Sequence, residues 1–295
     1  MQFGFSLLPT ADLRAHLAVV DAAERGGLDL VGVQDHPYAP PLVESFSLIA
    51  TLLARTERLR FFPDVAALPL RPAPMLAQTA ATLDVLSGGR FELGLGAGGN
   101  WHGIESMGVQ RLSPRQAMAA LEEAIAVLRA LWTPGTADVR GEYHSVTEVH
   151  TGPLPAHPIQ IWVGSQGPRS FALTGRLADG WAAPIPSYLP YEAWAEGNET
   201  ISRAATDAGR DPADVLRMAQ LVGTITDTPG DRDSTEAREG SAPVRGTADQ
   251  WASLIARLAT EQPFRCFVFW PEQGTVDQVE RFAKDVVPAA RALLG

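Results

Sequence analysis

Short apolar runs of about five to seven residues alternate with helix-period segments along the whole chain, the pattern of βα units feeding a parallel sheet. The runs are Phe3 to Leu8, Leu28 to Gln34, Leu59 to Val65, Phe91 to Gly96, Ile159 to Val163, Gly180 to Ala183, Met218 to Thr226 and Cys266 to Trp270. Between them Ala73 to Leu86, Pro114 to Trp132 and Trp251 to Ala259 repeat their apolar residues with the helical period. Ser113-Pro114 reads as a cap followed by a first-turn proline, and Gly88-Gly89 as a helix stop. Eight strands separated by helices predict an α/β fold, a TIM-type (β/α)₈ barrel, with residues 1–295 as one domain.

Two connections are too long for plain loops. Thr133 to Pro158 holds Gly141-Glu142-Tyr143-His144 between short extended runs, which predicts a hairpin-like insertion between the fourth helix and the fifth strand. Thr228 to Gly246, rich in Gly, Asp, Arg, Ser and Pro, reads as a ligand-covering loop.

Composition narrows the function classes. At 45% hydrophobic and 20% charged, the chain can bury a large core. A net charge of -10 without Lys or Arg clusters argues against a nucleic-acid partner. The start lacks a signal-peptide pattern and no apolar stretch reaches the ~18 residues of a membrane span, so a cytoplasmic protein with no membrane partner is expected. Cys266, the single cysteine, precludes an internal disulfide and a CxxC site and reads as an inert strand residue. The one lysine, Lys284, falls in the last helical pattern, which disfavours Schiff-base chemistry at a strand end. Six histidines form no HxH or HExxH pair, so no metal site is expected, and no GxSxG elbow is present.

In a parallel barrel the chemistry sits at the carboxyl ends of the strands. Strand 2 ends in Gln34-Asp35-His36-Pro37; the Asp-His pair can hold a ring by hydrogen bonds, His36 can pass a proton, or the two can simply cap a loop. Strand 3 runs into Phe62-Pro63-Asp64-Val65-Ala66-Ala67-Leu68-Pro69-Leu70-Arg71-Pro72, an apolar and Pro-rich path able to line one face of a flat ring, or simply a loop with structural prolines. Strand 4 gives Gly94-Leu95-Gly96-Ala97-Gly98-Gly99-Asn100-Trp101, whose missing Cβ atoms allow a planar molecule to approach the backbone; the alternative is a flexible loop. After strand 5, Gly164-Ser165-Gln166-Gly167-Pro168-Arg169 precedes a helix and forms one candidate anion site. Arg245-Gly246-Thr247 forms a second, nearer the usual phosphate position of such barrels; either Arg can equally be a solvated surface residue.

Several stretches carry a resemblance, among them Pro74-Met75-Leu76-Ala77-Gln78. The others are Ala22-Ala23-Glu24-Arg25-Gly26-Gly27-Leu28-Asp29 leading to Asp35-His36, then Leu83-Asp84-Val85-Leu86-Ser87-Gly88-Gly89-Arg90 leading into Phe91 to Gly98, then Gly164 to Pro168 with Ala178-Asp179-Gly180-Trp181. In chain order they resemble the luciferase-like monooxygenase superfamily of flavin- and deazaflavin-dependent oxidoreductases. The resemblance implies a bacterial-luciferase-like barrel and an enzyme that moves a hydride between coenzyme F-420 and a small organic substrate. FMN with oxygen, as a monooxygenase, is the alternative, and a non-catalytic cofactor-binding barrel a third. It implies ring contacts at Asp35, His36, Asp64, Val65, Ala97, Gly98 and Asn100, with a non-proline cis peptide at Asp64-Val65. Gly164, Ser165, Gln166, Gly167 and Pro168 map to the opposite wall, and Arg169, Gly246 and Thr247 to the cofactor tail. A glutamate that donates a proton in the sugar-phosphate dehydrogenase branch is Gly99 here, which leaves His36 as the proton-transfer candidate ahead of His102 and Glu105. Substrate choice is expected from Trp101, His102, the 133–158 insertion, Pro184 to Tyr191 and the 228–245 loop. A homodimer is also expected of the family.

Overall fold

Each apolar run becomes a strand because both of its faces are covered, by helices outside and by the opposite strands inside. The computed structural model describes residues 1–295, the side chain of Asp233 excepted. Its strands are β1 (Gln2–Leu7), β2 (Leu30–Val33), β3 (Arg60–Pro63), β4 (Ala66–Ala67), β5 (Leu93–Gly96), β6 (Thr136–Val139), β7 (Val146–His150), β8 (Ile161–Val163), β9 (Gly180–Ala182), β10 (Leu216–Ile225), β11 (Val244–Gly246) and β12 (Cys266–Pro271). The helices are α1 (Leu13–Gly26), α2 (Ser45–Leu53), α3 (Ala73–Ser87), α4 (Trp101–Ser106), α5 (Pro114–Leu131), α6 (Pro168–Leu177), α7 (Ala193–Asp207), α8 (Arg232–Glu236), α9 (Ala248–Glu261), α10 (Val276–Arg281) and α11 (Val287–Leu294).

The parallel order is β3-β2-β1-β12-β10-β9-β8-β5-β4. Its two ends, β3 and β4, are successive pieces of one chain segment, so the sheet closes on itself as the expected (β/α)₈ barrel. The third barrel strand is therefore in two pieces, β3 within the apolar run and β4 just beyond its end at Val65. After Pro63, which pairs with Val33, the Asp64 N–H still reaches Val33 O at 2.8 Å, and the chain then changes partner so that Ala66 faces Leu95 and Ala67 faces Gly96. The Asp64-Val65 peptide at this change of partner is cis, as the resemblance implies.

Glycines make the bulge possible. A Cβ on Gly94 would stand 2.1 Å from Pro63 O, and one on Gly96 or Gly164 would stand 2.9 or 3.0 Å from Val65 Cγ2. The glycine string of strand 4 thus first makes room for the protein's own third strand. Space for a bound ring is a consequence of that seat.

Strand alternation divides the core in two. Phe3, Phe5, Val31, Phe267 and Phe269 face the helices. Leu30, Phe62, Trp162, Met218, Cys266 and Val268 fill the barrel interior. Because side chains alternate along a strand, the next inward positions toward the carboxyl ends are Asp64 after Phe62, Gln220 after Met218, and Trp270 after Val268. The innermost layer beneath the mouth is polar.

The other end of the barrel is stapled by the most specific string of the chain. Gly88 ends α3 in the left-handed region (φ 71°), and Arg90 then donates to Leu53 O, Leu59 O and Thr56 Oγ1 at 2.9 to 3.1 Å. Asp84 accepts from His157 N at 3.0 Å and meets His157 Nδ1 at 2.7 Å. The 133–158 segment is a hairpin, β6 antiparallel to β7, its tip gripped by Glu123 of α5 through the backbone N–H groups of Glu142, Tyr143 and His144. The 228–246 segment carries α8 and ends in β11, which pairs with the outer part of β10. Among the described residues no helix is long and apolar enough to cross a membrane.

The glycine seat can be measured. Gly94→Ala is expected to lose about 2 kcal/mol in urea unfolding, since the added methyl meets a backbone oxygen that cannot step aside. Gly274→Ala, where a Cβ meets nothing within 4 Å, is expected to change stability by less than about 0.5 kcal/mol.

Candidate active site

The carboxyl ends of the strands enclose a cavity of about 660 Å³. Its floor is the polar layer just described. Gln220 Nε2 donates to Asp64 Oδ1 at 3.0 Å. Three strands separate β3 from β10 in either direction round the barrel, so this hydrogen bond crosses the barrel axis. Asp64 is 6% and Gln220 3% exposed. Burial pushes the Asp64 carboxyl up to about 7, while the Gln220 hydrogen bond pulls the other way; no charged neighbour contributes. Asp64 Oδ2, Gln220 Oε1, Trp270 Nε1 and, on β1, Ser6 Oγ have no partner within the protein. Buried polar atoms left in this state call for a ligand or water.

Asp35 and His36 differ sharply in what they leave free. The buried Asp35 carboxylate accepts from Ser45 Oγ (2.7 Å), Ala67 N (2.9 Å) and Arg71 Nη2 and Nε (2.7 and 3.2 Å). Arg71 also bonds Glu44 at 2.8 Å and stands 4.2 Å from the centre of the Phe46 ring. Asp35 lines the cavity, yet its oxygens are committed to holding the chain after the strand 3 bulge. His36 Nδ1 lies 2.8 Å from Tyr38 Oη, and Nε2 has no protein partner among the described residues. Burial lowers His36 below its ordinary value and the Asp35 charge only partly restores it, so the imidazole is neutral at pH 7.

Val65, Ala97, Gly98, Asn100, Gly164, Gln166, Gly167, Pro168 and Arg169 join them in the lining. Asn100 Oδ1 caps α4 through Gly103 N at 3.1 Å, leaving its amide nitrogen available. Arg169 is exposed and carries no ion pair among the described residues. Ser165 is not in the lining: it is fully buried, its Oγ 2.6 Å from Thr174 Oγ1 and bonded to Ser170 O, where it anchors the first turn of α6. Gly246 and Thr247 also lie outside the lining. Gly246 ends β11, Thr247 caps α9 with its own N–H given to Gln250, and the neighbouring Arg245 is paired with Glu272 at 2.6 Å. Gly99 borders open space, His102 stands outside the lining and Glu105 faces Arg111 at 3.7 Å.

The upper cavity is apolar. Ile104, Ala117, Met118 and Leu121 of α4 and α5 face Pro184, Ile185 and Tyr188. Of the segments expected to choose substrate, Trp101 and the 184–191 stretch reach the cavity, whereas nothing from 133–158 or 228–245 does among the described residues. Sequence reasoning passed over Tyr38, Arg71, Gln220 and Trp270. Gln220 had a signal: it is the polar residue that follows Leu216 and Met218 on the alternation of the strand.

Apolar walls, an open Gly99 edge and a floor of unpaired donors and acceptors suit a planar heteroaromatic ring. The fold and this cavity define a barrel enzyme with its site at the carboxyl mouth. The chain belongs to the luciferase-like monooxygenase family, whose model matches residues 1–267. It is 33% identical over 178 residues (57% of this chain, 47% of the relative) to pyrimidine monooxygenase RutA of Bradyrhizobium sp.. It is 35% identical over 210 residues (70% and 55%) to a phthiodiolone/phenolphthiodiolone dimycocerosates ketoreductase of Mycobacterium kansasii. The chain spans about half the length of these curated relatives. A coenzyme F-420-dependent secondary alcohol dehydrogenase, solved with an F-420–acetone adduct, shares the fold with a TM-score of 0.82 at 19% identity over 98% of this chain and 99% of that one.

The buried acid makes stability depend on pH. An aspartate ordinarily near 3.8 and raised to about 7 binds more protons folded than unfolded between those values, so its contribution falls as pH climbs through that window and levels off above it. Asp64→Asn is therefore expected to match the parent near pH 4 and to exceed it near pH 8. The expected slope is about 1.4 kcal/mol per pH unit within the window, read from urea melts across it.

Proposed function

We infer that this protein is a coenzyme F-420-dependent oxidoreductase that exchanges a hydride and a proton with a small, mostly apolar alcohol or ketone. The observation that carries this reading is His36, a neutral imidazole on the cavity wall with Nδ1 held by Tyr38 and Nε2 open toward the apolar chamber. When bound, the deazaflavin supplies a ring carbon that gives or takes the hydride. The protein supplies the rest. His36 Nε2 takes the hydroxyl proton of an alcohol as its carbon is oxidised, or in the protonated form gives a proton to a ketone oxygen on reduction. Tyr38 fixes the imidazole, and the walls from α4 and α5 exclude water and favour an apolar substrate body. Val65 and the backbone of Ala97 and Gly98 form surfaces for the ring, with Gly164, Gln166, Gly167 and Pro168 lining the same cavity. Arg169 is the cavity-lining cation for the anionic tail; it is preferred to Gly246 and Thr247, whose local N–H donor is already used.

The relatives support both halves of the reading, one being a ketoreductase and the structural neighbour an F-420-dependent alcohol dehydrogenase. The second reading, a monooxygenase using reduced FMN and oxygen, is favoured by the pyrimidine monooxygenase relative. Titration with each cofactor, followed by fluorescence quenching, separates them, and preferential tight binding of FMN overturns the first. On the first reading, His36→Asn lowers kcat for alcohol oxidation by about 10²- to 10⁴-fold while cofactor affinity changes by less than about threefold. Because the imidazole must be neutral to accept the proton, the parent rate is expected to fall as pH drops through a midpoint below 6.5, a limb the variant lacks.

A further inference from the structure

Asp64 and Gln220 form the one carboxyl–amide pair in the floor of the cavity, and the reaction assigned to His36 leaves them unused. Their geometry is specific. Asp64 is held from the far side of the barrel, and Gly32 on β2 is bare where a Cβ would stand 2.7 Å from Asp64 Oδ2. One oxygen on each residue remains unpartnered. An apolar residue at either position would fill this layer as Met218 and Val268 fill the one below it, at no cost in unpaired polar atoms.

The surroundings offer Asp64 no cation. Asp35 and His36 approach from the end of β2, but Arg71 is spent on Asp35 and His36 is neutral. Cys266 lies beneath on β12 with its thiol pushed far up by burial, Tyr38 and Tyr188 stand around the cavity, and Arg169 is exposed at the mouth on α6. A carboxyl in such a position is poised between its two forms near neutral pH, and a charge placed next to it decides which form prevails.

Rings of the class assigned to this cavity bring such a charge. A deazaflavin ring carries an acidic phenol-like hydroxyl, and a reduced flavin loses a proton from N1, so each has an anionic form near neutral pH. We propose that the Asp64–Gln220 pair is a proton-binding site which takes up a proton as an anionic ring binds above it. The uptake replaces an anion–anion repulsion across the floor by a neutral acid that can donate a hydrogen bond. Cofactor affinity then becomes linked to pH through a residue that plays no part in moving the substrate's proton.

This rests on the reading that a deazaflavin or flavin ring occupies the cavity, and calorimetry separates the two. Heats of binding of oxidised coenzyme F-420, and of reduced FMN without oxygen, are measured in two buffers of different ionisation heat. The parent protein is compared with D64N, so that proton changes of the ring itself cancel. Close to one additional proton per ring is expected for the parent over D64N at about pH 8, and about none at pH 5.5, where Asp64 is already protonated. Q220L, which removes the donor favouring the ionised carboxyl, is expected to reduce the uptake at pH 8 without abolishing it. Binding with equal proton uptake in parent and D64N overturns the proposal and leaves the cofactor reading intact. Uptake retained in D64N but lost in H36N also overturns it, by giving the proton to the imidazole. Failure of both rings to bind the folded parent protein sinks the cofactor reading and the proposal together.

Discussion

The seating of Val65 against glycine governs the rest of the molecule. The sheet closes only because the third strand breaks after Pro63 and re-forms one neighbour over, and the side chain at the break occupies space that Gly94, Gly96 and Gly164 leave empty. The Asp35 carboxylate then fixes the far side of the break by binding Ala67 N, Ser45 and Arg71 together. A buried ion pair gains little net stability when desolvation is charged against it. Its value here is geometric: it sets where the bulge ends, and the bulge is one wall of the cavity.

The barrel was legible because strand runs and helix periods are long-range repetitive signals, and even the hairpin between α5 and β8 followed from a connection too long to be a loop. The site was legible in part. Residues that end strands, such as His36, Ala97 and Gly164, lie where a parallel barrel must place them. What one-dimensional reasoning lacked was pairing. Asp35 looked like a ring ligand because Arg71, thirty-six residues further on, is not marked in sequence as its partner. Ser165 looked available for the same reason, since only the fold shows Thr174 and Ser170 taking its hydroxyl. Gly246 and Thr247 resemble an anion loop locally, but β11 joins the outer end of β10 rather than the cavity rim.

Only the first part of the string that made the family resemblance most specific, Leu83 to Arg90, stands away from the site; its second part brings Gly96, Ala97 and Gly98 into the cavity lining. Gly88 stops α3, Arg90 ties the Leu53 and Leu59 carbonyls and the Thr56 hydroxyl, and Asp84 with His157 fastens the segment before β8, all at the amino end of the strands. Such a staple constrains sequence because the Arg90 guanidinium answers backbone carbonyls of Leu53 and Leu59, while Asp84 answers both the backbone N–H and the ring of His157. The resemblance is therefore carried at both ends of the barrel, by the staple that holds the fold and by the strand 4 glycines beside the cavity.

Charge sets the cavity apart from the rest of the molecule. A chain of net charge -10 would repel an anionic cofactor if its acids faced the cavity. Of the carboxyls in the lining, Asp35 is neutralised by Arg71, and Asp64, raised to about 7, is close to half protonated at neutral pH. His36 adds no charge, and Arg169 stands as the one cation at the mouth. The cavity is thus nearly free of negative charge within an acidic protein. It reaches that state by pairing one acid and burying the other, and not by accumulating lysine and arginine around the cavity. A basic pocket would hold any phosphate-bearing solute. A nearly neutral one, with a single arginine at its edge and a polar floor across its axis, leaves discrimination to shape and to the few groups that can exchange a proton.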